Sequence, residues 1–207
     1  MFNMLKYGFD ISELNPEHDW DEVKELGFSF CIVRCSYGQT SKDEAFPIYA
    51  AHAYNAGLKV GAYHYDYSVD VEGAIQNALN AKEAIEKAGV LLELPLFYDM
   101  EDADGWKDRH GYDFMGETAT AQCKAFLSHI GKLHGGIYAS YSWLEKAIRS
   151  GTGTIDWRSL NVPVWNAEFQ EDNETPDTDN DDLKAFMWQW TDKYNIGGHA
   201  YDADIIY

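Results

Sequence analysis

The sequence predicts an α/β fold, a modified (β/α)8-type barrel with about eight strands and with fewer or shorter helices in the C-terminal third. Two observations lead to this prediction. Short apolar runs alternate with amphipathic segments over the first two-thirds of the chain, which is typical of a parallel sheet with right-handed crossovers. The chain has 207 residues, of which 45% are hydrophobic and 25% charged, and this suits one domain spanning residues 1–207.

Four predicted strands in the first half of the chain each end close to a polar side chain. The strands cover residues 6–12, 28–35, 58–65 and 94–99. Predicted helices separate them at residues 20–26, 46–56 and 70–87. Asp70 is a suitable N-cap for the third helix, and Gly89 follows its end as a C-cap. The order therefore favours β-α-β units.

The second half of the chain contains four more predicted strands but fewer helices. The strands cover residues 136–139, 162–167, 186–190 and 201–207, and the helices cover residues 116–133 and 141–148. Only short or missing helices separate the last strands. We therefore expect the regular alternation to break down towards the C-terminus.

The strand predicted at residues 94–99 ends in one carboxylate, Asp99, and a second, Glu101, follows two residues later. Alternate residues of a strand share a face, so both side chains would point the same way, with backbones about 6–7 Å apart. Neighbouring carboxylates push their pKa values apart, which yields one acid and one anion. Taken alone, the pair fits a solvated loop equally well, because Asp102 and Asp104 continue the acidic run.

Polar and aromatic side chains gather near the C-terminal ends of the predicted strands. In parallel α/β barrels this end of the sheet carries the active site. Polar residues scattered over a surface would not collect there, and this favours a catalytic interpretation of Asp99 and Glu101. The residues concerned are Asp10, Arg34, Tyr65, Asp99, Glu101, Tyr138 and Trp190.

The charge of the chain argues against several classes of partner. A formal net charge of −19 disfavours nucleic acid, whose binding needs clustered Lys and Arg side chains. It also disfavours docking to an anionic membrane, and no segment approaches the length of a membrane span. Residues 1–6 lack the apolar core and cleavage site of a signal peptide. We therefore expect synthesis in a cytoplasm, with no nucleic-acid or membrane partner.

Neither the cysteines nor the acidic segments predict a metal or a cofactor. Cys31 and Cys35 lie about 13 Å apart along one predicted strand, too far for a disulfide. Together with Cys123 they are expected to be reduced, mostly buried thiols. His64 is interpreted as a hydrogen-bonded core residue, since no second histidine lies at metal-ligand spacing. The acidic run at residues 177–181 resembles the start of a calcium loop but lacks its glycine and its closing glutamate.

Seven short motifs together resemble the glycoside hydrolase family 25 lysozymes, the N-acetylmuramidases of bacteriophage endolysins, bacteria and some fungi. Each motif is weak alone, but their order over nearly the whole chain makes the resemblance specific. The motifs are GFDIS at 8–12, IVRCSYG at 32–38, GLKVGAYHY at 57–65, DME at 99–101, GIYA at 136–139, WQW at 188–190 and YDAD at 201–204. The resemblance implies a catalytic domain of the kind found in a bacteriophage endolysin.

The resemblance implies cleavage of the β-1,4 bond between N-acetylmuramic acid and N-acetylglucosamine in peptidoglycan. Glu101 then corresponds to the general acid/base and Asp99 to its carboxylate partner. Asp10 and Asp202 correspond to two further acids on the floor of the site. Three neighbouring carboxylates would raise the pKa of Glu101 and keep it protonated near neutral pH. The family usually has Asn where this chain has Asp204, so Asp204 either adds a negative charge or faces away.

The Asp-x-Glu pair also resembles sites in which the acetamido oxygen of the substrate attacks the anomeric carbon. In that scheme Asp99 orients the acetamido group, and the product retains its configuration. Arg34 would either bind substrate or pair with an acid of the floor. The aromatic residues expected to hold the sugar chain are Tyr63, Tyr65, Tyr138 and Trp190, whereas Trp188 fits the core equally well.

Two other functions share these features. A catalytically silent peptidoglycan-binding module on the same fold would not need the acids, and a glycosidase for a related glycan such as chitin would keep them. The negative charge fits a domain cut from a longer lysin with a C-terminal wall-binding domain. The missing signal peptide fits a phage lysin that is made in the host cytoplasm and reaches the wall through a holin pore.

Overall fold

The structure, a computed structural model, describes residues 5–114, 117–144, 155–172 and 174–207. Over these residues the strands are β1 (Lys6–Ile11), β2 (Phe30–Tyr37), β3 (Ser41–Lys42), β4 (Lys59–Tyr65), β5 (Leu96–Asp99), β6 (Gly135–Ser140), β7 (Val164–Ala167), β8 (Met187–Ile196) and β9 (His199–Ile206). The helices are α1 (Trp20–Glu25), α2 (Phe46–Asn55), α3 (Val71–Ala88), α4 (Trp106–Arg109), α5 (Thr118–His129) and α6 (Tyr141–Leu144). None of these helices is long and apolar enough to cross a membrane.

Eight of the described strands close into a barrel. They are hydrogen-bonded in the order β1, β9, β8, β7, β6, β5, β4 and β2, and the pairing of β1 with β2 completes the ring. The two-residue strand β3 pairs antiparallel with the end of β2. The predicted α/β barrel of about eight strands with few helices in its last third is therefore confirmed.

The last strand runs against its neighbours, which the alternation of strands and helices did not predict. Strand β9 pairs antiparallel with β8 and β1, whereas the other neighbouring pairs of the ring are parallel. Gly197 and Gly198 join β8 to β9 with positive φ angles of 59° and 86°. Two such residues form a tight hairpin, whereas a parallel return would need a long crossover segment.

Capping residues and a positive-φ glycine set the ends of two of the helices, α3 and α5. The Asp70 side chain accepts a hydrogen bond of 2.8 Å from the backbone N–H of Gly73, and Gly89 ends α3 with φ of 64°. Helix α5 ends before the predicted residue 133, because Gly131 takes a positive φ of 72°. The predicted helix at 141–148 is described as far as Leu144, and its remaining residues, like residue 116, lie outside the described ranges.

Side chains inside the barrel form two layers along its axis, one apolar and one polar. Phe97 lies in the apolar interior and Asp99 follows it two residues later on the same face of β5. Ile32 and Arg34 have the same relation in β2. The polar layer therefore lies directly above the apolar one, towards the C-terminal ends of the parallel strands. The buried members of the apolar cluster are Phe30, Ile32, Phe97, Tyr138, Trp165, Ala167, Met187 and Ile206.

Candidate active site

Four carboxylates converge at this rim of the barrel. Asp10 lies near the end of β1, and Asp99 and Glu101 lie at and just beyond the end of β5. Asp202 is directly opposite Asp10 in the antiparallel β1–β9 pair, so the two side chains share a face. The reversed direction of β9 thus brings its N-terminal half to the rim, and all four predicted acids lie together.

Glu101 has the environment of a general acid that works near neutral pH. The pKa of Glu101 is raised to about 7, mainly by burial; the Lys107 ammonium opposes this rise, and the charges of Asp202 and Asp104 add to it. The sequence predicted a raised pKa from neighbouring carboxylates, but burial is the larger cause. A carboxyl group with this pKa is partly protonated at neutral pH and can both donate and accept a proton.

Asp99 is buried beside Glu101, with 3% of its surface exposed. Burial raises the pKa of Asp99, and repulsion from Glu101 raises it further. The two carboxyl groups lie within hydrogen-bonding reach of each other, and Asp99 Oδ1 has no hydrogen-bond partner among the described residues. Because two adjacent buried carboxylates repel each other, ionisation of one raises the pKa of the other, and the two titrate as a pair.

Asp10 and Asp202 form the other half of the acidic floor. Burial raises the pKa of Asp202 to about 6, with a smaller effect from Asp192, so Asp202 is mostly ionised at neutral pH. Asp10 is 5% exposed, and its Oδ2 accepts a hydrogen bond of 2.7 Å from Nε2 of Gln189. Burial followed by the charge of Asp202 raises the pKa of Asp10. Gln189 therefore orients a carboxyl group whose ionisation is opposed by its surroundings.

Two of the predicted aromatic residues flank Asp99 at this rim, and a third, Tyr63, lies one layer deeper in the barrel. Tyr65 and Tyr138 lie on either side of Asp99 in the register of β4, β5 and β6. The pKa of the Tyr65 phenol is raised by burial and then by the charges of Glu101 and Asp99, as expected for a hydroxyl beside the acid pair. The ring of Tyr63 lies 6.1 Å from that of Trp165 in the barrel interior. Aromatic faces and phenol groups thus surround the acids.

Trp190 does not belong to this rim, and its predicted role in substrate binding is wrong. Trp190 is 2% exposed and packs with Trp188, Ala203 and Ile205 on the face of the sheet opposite the acids. Side chains alternate along a strand, so the residue of this motif that faces the acids is Gln189. The same alternation could have identified Gln189 from the sequence.

A Trp190→Ala variant tests this correction. Removing a buried aromatic side chain should lower the free energy of unfolding by about 3–5 kcal/mol, because it leaves a cavity in the cluster outside the barrel. We expect the KM of the folded variant to stay close to that of the wild type. Urea denaturation and initial-rate kinetics measure the two quantities, and a stable variant with a strongly raised KM would return Trp190 to the substrate site.

Arg34 points to the rim but does not pair with an acid of the floor, so that part of its prediction is wrong. Its Nε donates to Oδ2 of Asp43 at 2.8 Å, and its Nη2 donates to Oε1 of Glu13 at 3.3 Å. The guanidinium carbon also lies 4.9 Å from the centre of the Tyr37 ring. Arg34 therefore ties the loops after β1 and β3 together, and its contact with substrate stays a prediction.

A buried ion pair lies behind the acids and was not recognised in the sequence. Lys107 is 1% exposed, and its Nζ lies 3.0 Å from Oδ2 of Asp66 and donates to the Asp66 carbonyl oxygen at 2.7 Å. The backbone N–H of Asp66 in turn donates to the Asp99 carbonyl oxygen at 3.1 Å. The Lys107 charge opposes the rise in the pKa of both Asp99 and Glu101. The ion pair thus joins the acid pair to the loop that carries α4.

The remaining titratable residues of interest are structural. His64 is fully buried, with Nδ1 at 2.8 Å from the hydroxyl oxygen of Ser36, which confirms the prediction of a hydrogen-bonded core histidine. Cys31, Cys35 and Cys123 are buried and free. Within the described ranges, no group of three or more His, Cys, Asp or Glu side chains could hold a metal ion.

Known proteins share this fold and sequence pattern. Lysozyme M1 from Streptomyces globisporus is 24% identical over 204 residues, which cover 95% of this chain and 65% of that lysozyme. The chain thus spans less than two thirds of the length of that relative. The CTP1L endolysin structure superposes with a TM-score of 0.74 at 25% identity, covering 98% of this chain and 66% of that one.

A second solved structure adds a ligand-bound neighbour. The modular autolysin LytC from Streptococcus pneumoniae, in complex with a synthetic peptidoglycan ligand, gives a TM-score of 0.77 at 21% identity and covers 98% of this chain and 47% of that one. At this identity the similarity shows the fold alone. The model of glycosyl hydrolases family 25 matches residues 9–199 and confirms the family that the seven motifs predicted. This chain belongs to glycosyl hydrolases family 25.

Proposed function

We propose that this chain is a peptidoglycan hydrolase that cleaves the β-1,4 bond between N-acetylmuramic acid and N-acetylglucosamine. The observation that carries the proposal is the buried pair of Asp99 and Glu101 at the rim, where the pKa of Glu101 is raised by burial to about 7. Membership of a glycoside hydrolase family supports this chemistry, and so does a fold neighbour solved with a peptidoglycan ligand.

In the proposed reaction Glu101 protonates the glycosidic oxygen as the bond to the anomeric carbon breaks. A sugar alkoxide is a poor leaving group, and a positioned carboxylic acid removes the need to expel it as an anion. Asp202, ionised at neutral pH, stabilises the positive charge that develops on the sugar ring. Once Glu101 has lost its proton, it accepts one from the water that completes hydrolysis.

Asp99 orients the acetamido group of the sugar whose glycosidic bond is cleaved. Its Oδ1 is buried and has no hydrogen-bond partner in the described part of the chain, so it can accept the N–H of that acetamido group. The acetamido oxygen then attacks the anomeric carbon from the face opposite the leaving group. Water opens the resulting ring, and two inversions at that carbon retain the configuration.

The raised pKa of Glu101 predicts how activity depends on pH. The general acid is present below its pKa of about 7, so we expect kcat/KM to fall as the pH rises above that value. The decline should approach tenfold for each pH unit, because a single proton is lost. Initial rates on a soluble glycan between pH 5 and pH 9 measure this limb, and a rate that stays constant to pH 9 would exclude Glu101 as the acid.

A digest of purified peptidoglycan tests the proposed bond specificity. The products are reduced with borohydride and identified by mass spectrometry. New muramitol ends would support cleavage after N-acetylmuramic acid. New glucosaminitol ends would keep the glycosidase and reverse its specificity. No new ends, with protein still bound to the wall, would instead indicate a silent binding module.

A further inference from the structure

A fifth carboxylate lies beneath the acidic floor. Asp204 on β9 is directly opposite Gly8 in β1 and Gln189 in β8, and it shares a face with Asp202 two residues earlier. It is completely buried. The sequence left open whether Asp204 adds a charge to the site or faces away. The register settles this point, because Asp204 faces the interior, below Asp10.

The two oxygens of Asp204 have different surroundings. Oδ1 accepts a hydrogen bond of 2.8 Å from the indole N–H of Trp165. Oδ2 is buried and receives no hydrogen bond from the described residues, but the carboxyl group of Asp10 lies within hydrogen-bonding reach. A buried oxygen without a partner is costly, whereas a proton on one of these two carboxyl groups would satisfy both.

Asp10 is held from its other side by a second set of hydrogen bonds. Its Oδ2 accepts from Nε2 of Gln189 at 2.7 Å, and Oε1 of Gln189 accepts from the hydroxyl of Tyr138 at 2.9 Å. A continuous chain of polar groups therefore runs from Trp165 through Asp204, Asp10 and Gln189 to Tyr138. Each member has a defined donor or acceptor role if one proton lies between Asp204 and Asp10.

We propose that Asp204 is a positioning residue that shares one proton with Asp10, so that a hydrogen bond between the two carboxyl groups fixes Asp10 at the floor of the site. This inference rests on the proposed function, because Asp10 matters for catalysis only if the site cleaves a glycan. Asp204 itself is too deep to touch the substrate. It acts through the orientation and charge of Asp10.

The charges around the pair favour retention of the proton. Burial raises the pKa of Asp204 and the charge of Asp202 raises it further, whereas the hydrogen bonds with Trp165 and Asp10 act in the opposite direction and leave the pKa above its usual value. Burial also raises the pKa of Asp10, to which Asp202, Asp204 and Asp99 add. Among the described residues, the other titratable groups facing the pair include the phenols of Tyr63 and Tyr138 and the thiol of Cys31, and none of these three is a cation.

Two variants at position 204, with side chains of similar size, show whether Asp204 acts through its hydrogen bond to Asp10 or only fills space. Asp204→Asn keeps an N–H donor towards Asp10 and an oxygen that accepts from Trp165, so its kcat should stay within about threefold of the wild type. Asp204→Leu removes the donor, and we expect kcat to fall by about 10²-fold with little change in KM. Equal kcat values for the two variants would overturn the proposal.

Infrared spectroscopy tests the proton itself and does not depend on activity or on a folded Leu variant. The spectrum of the wild type minus that of Asp204→Asn, both at pH 8, should contain the C=O stretching band of one un-ionised carboxylic acid. A difference spectrum with only an ionised carboxylate band would overturn the proposal. If the band is present but the wild type cleaves no glycan, the proposed function fails while the proton shared by Asp204 and Asp10 stands.

Discussion

Glu101→Gln should abolish glycan cleavage while leaving the fold intact. The amide has almost the same size as the carboxylic acid but cannot transfer a proton to the glycosidic oxygen. General acid catalysis contributes about 10²–10⁴-fold to a rate, so we expect kcat to fall by at least that factor. Release of reducing ends from purified peptidoglycan measures the loss, and circular dichroism with urea denaturation shows whether the variant is folded.

Asp108→Asn is a matched control for this variant. Asp108 is an exposed carboxylate in helix α4, seven residues from Glu101 on the same rim loop, and its backbone N–H bonds to Asp102. The Asp108→Asn substitution also replaces a carboxyl group by an amide, but it leaves Asp99 and Glu101 unchanged. The activity of this variant should therefore match that of the wild type. Full activity in a folded Glu101→Gln protein would remove Glu101 from its assigned role.

Lys107→Met should cause the largest loss of stability among the polar substitutions considered. The change removes the cation from a buried ion pair and leaves the Asp66 carboxylate uncompensated in the interior. Breaking such a pair costs about 3–5 kcal/mol of unfolding free energy, measurable by urea denaturation. The variant also loses a charge that lowers the pKa of Glu101, so the alkaline limb of its pH–rate profile should move to higher pH.

Two further variants compare the contribution of this buried ion pair to stability with that of an ion pair on the surface. Lys107→Met combined with Asp66→Asn removes both charges and should recover part of the lost stability. Lys82→Met breaks a pair with Glu86 whose partners are 40% and 66% exposed, and such pairs contribute at most about 1 kcal/mol. If Lys107→Met unfolded at the same urea concentration as the wild type, the ion pair would not hold the rim loop.

The fold and most of the acidic site follow from local sequence signals. The capping residues of α3 and the glycine-ended helices were predictable because they act within a few residues. Asp99 and Glu101 were predictable because a strand period of two and the C-terminal end of a parallel strand place them together. Asp202 was identified only through its family motif, since its position at the rim depends on the reversal of β9 by two glycines.

The rest of the site depends on contacts between distant parts of the chain. Lys107 and Asp66 are 41 residues apart and belong to no common motif, so no local spacing connects them. Trp165 and Asp204 meet only because β7 and β9 face the same interior. The error at Trp190 has another cause. Trp190 was assigned to the rim because it is aromatic and lies near a strand end. Side chains alternate along a strand, and since Gln189 faces the acids, Trp190 must face the other way.

The most direct test of the proposed chemistry is the configuration of the first product. A soluble peptidoglycan oligosaccharide is hydrolysed inside an NMR tube, and the anomeric proton of the newly formed reducing end is recorded before mutarotation. Attack by the acetamido oxygen, with Glu101 as acid and Asp99 orienting the group, predicts that the β-anomer appears first. Initial formation of the α-anomer would mean inversion and would contradict this mechanism, and no new anomeric signal would contradict glycan hydrolysis itself.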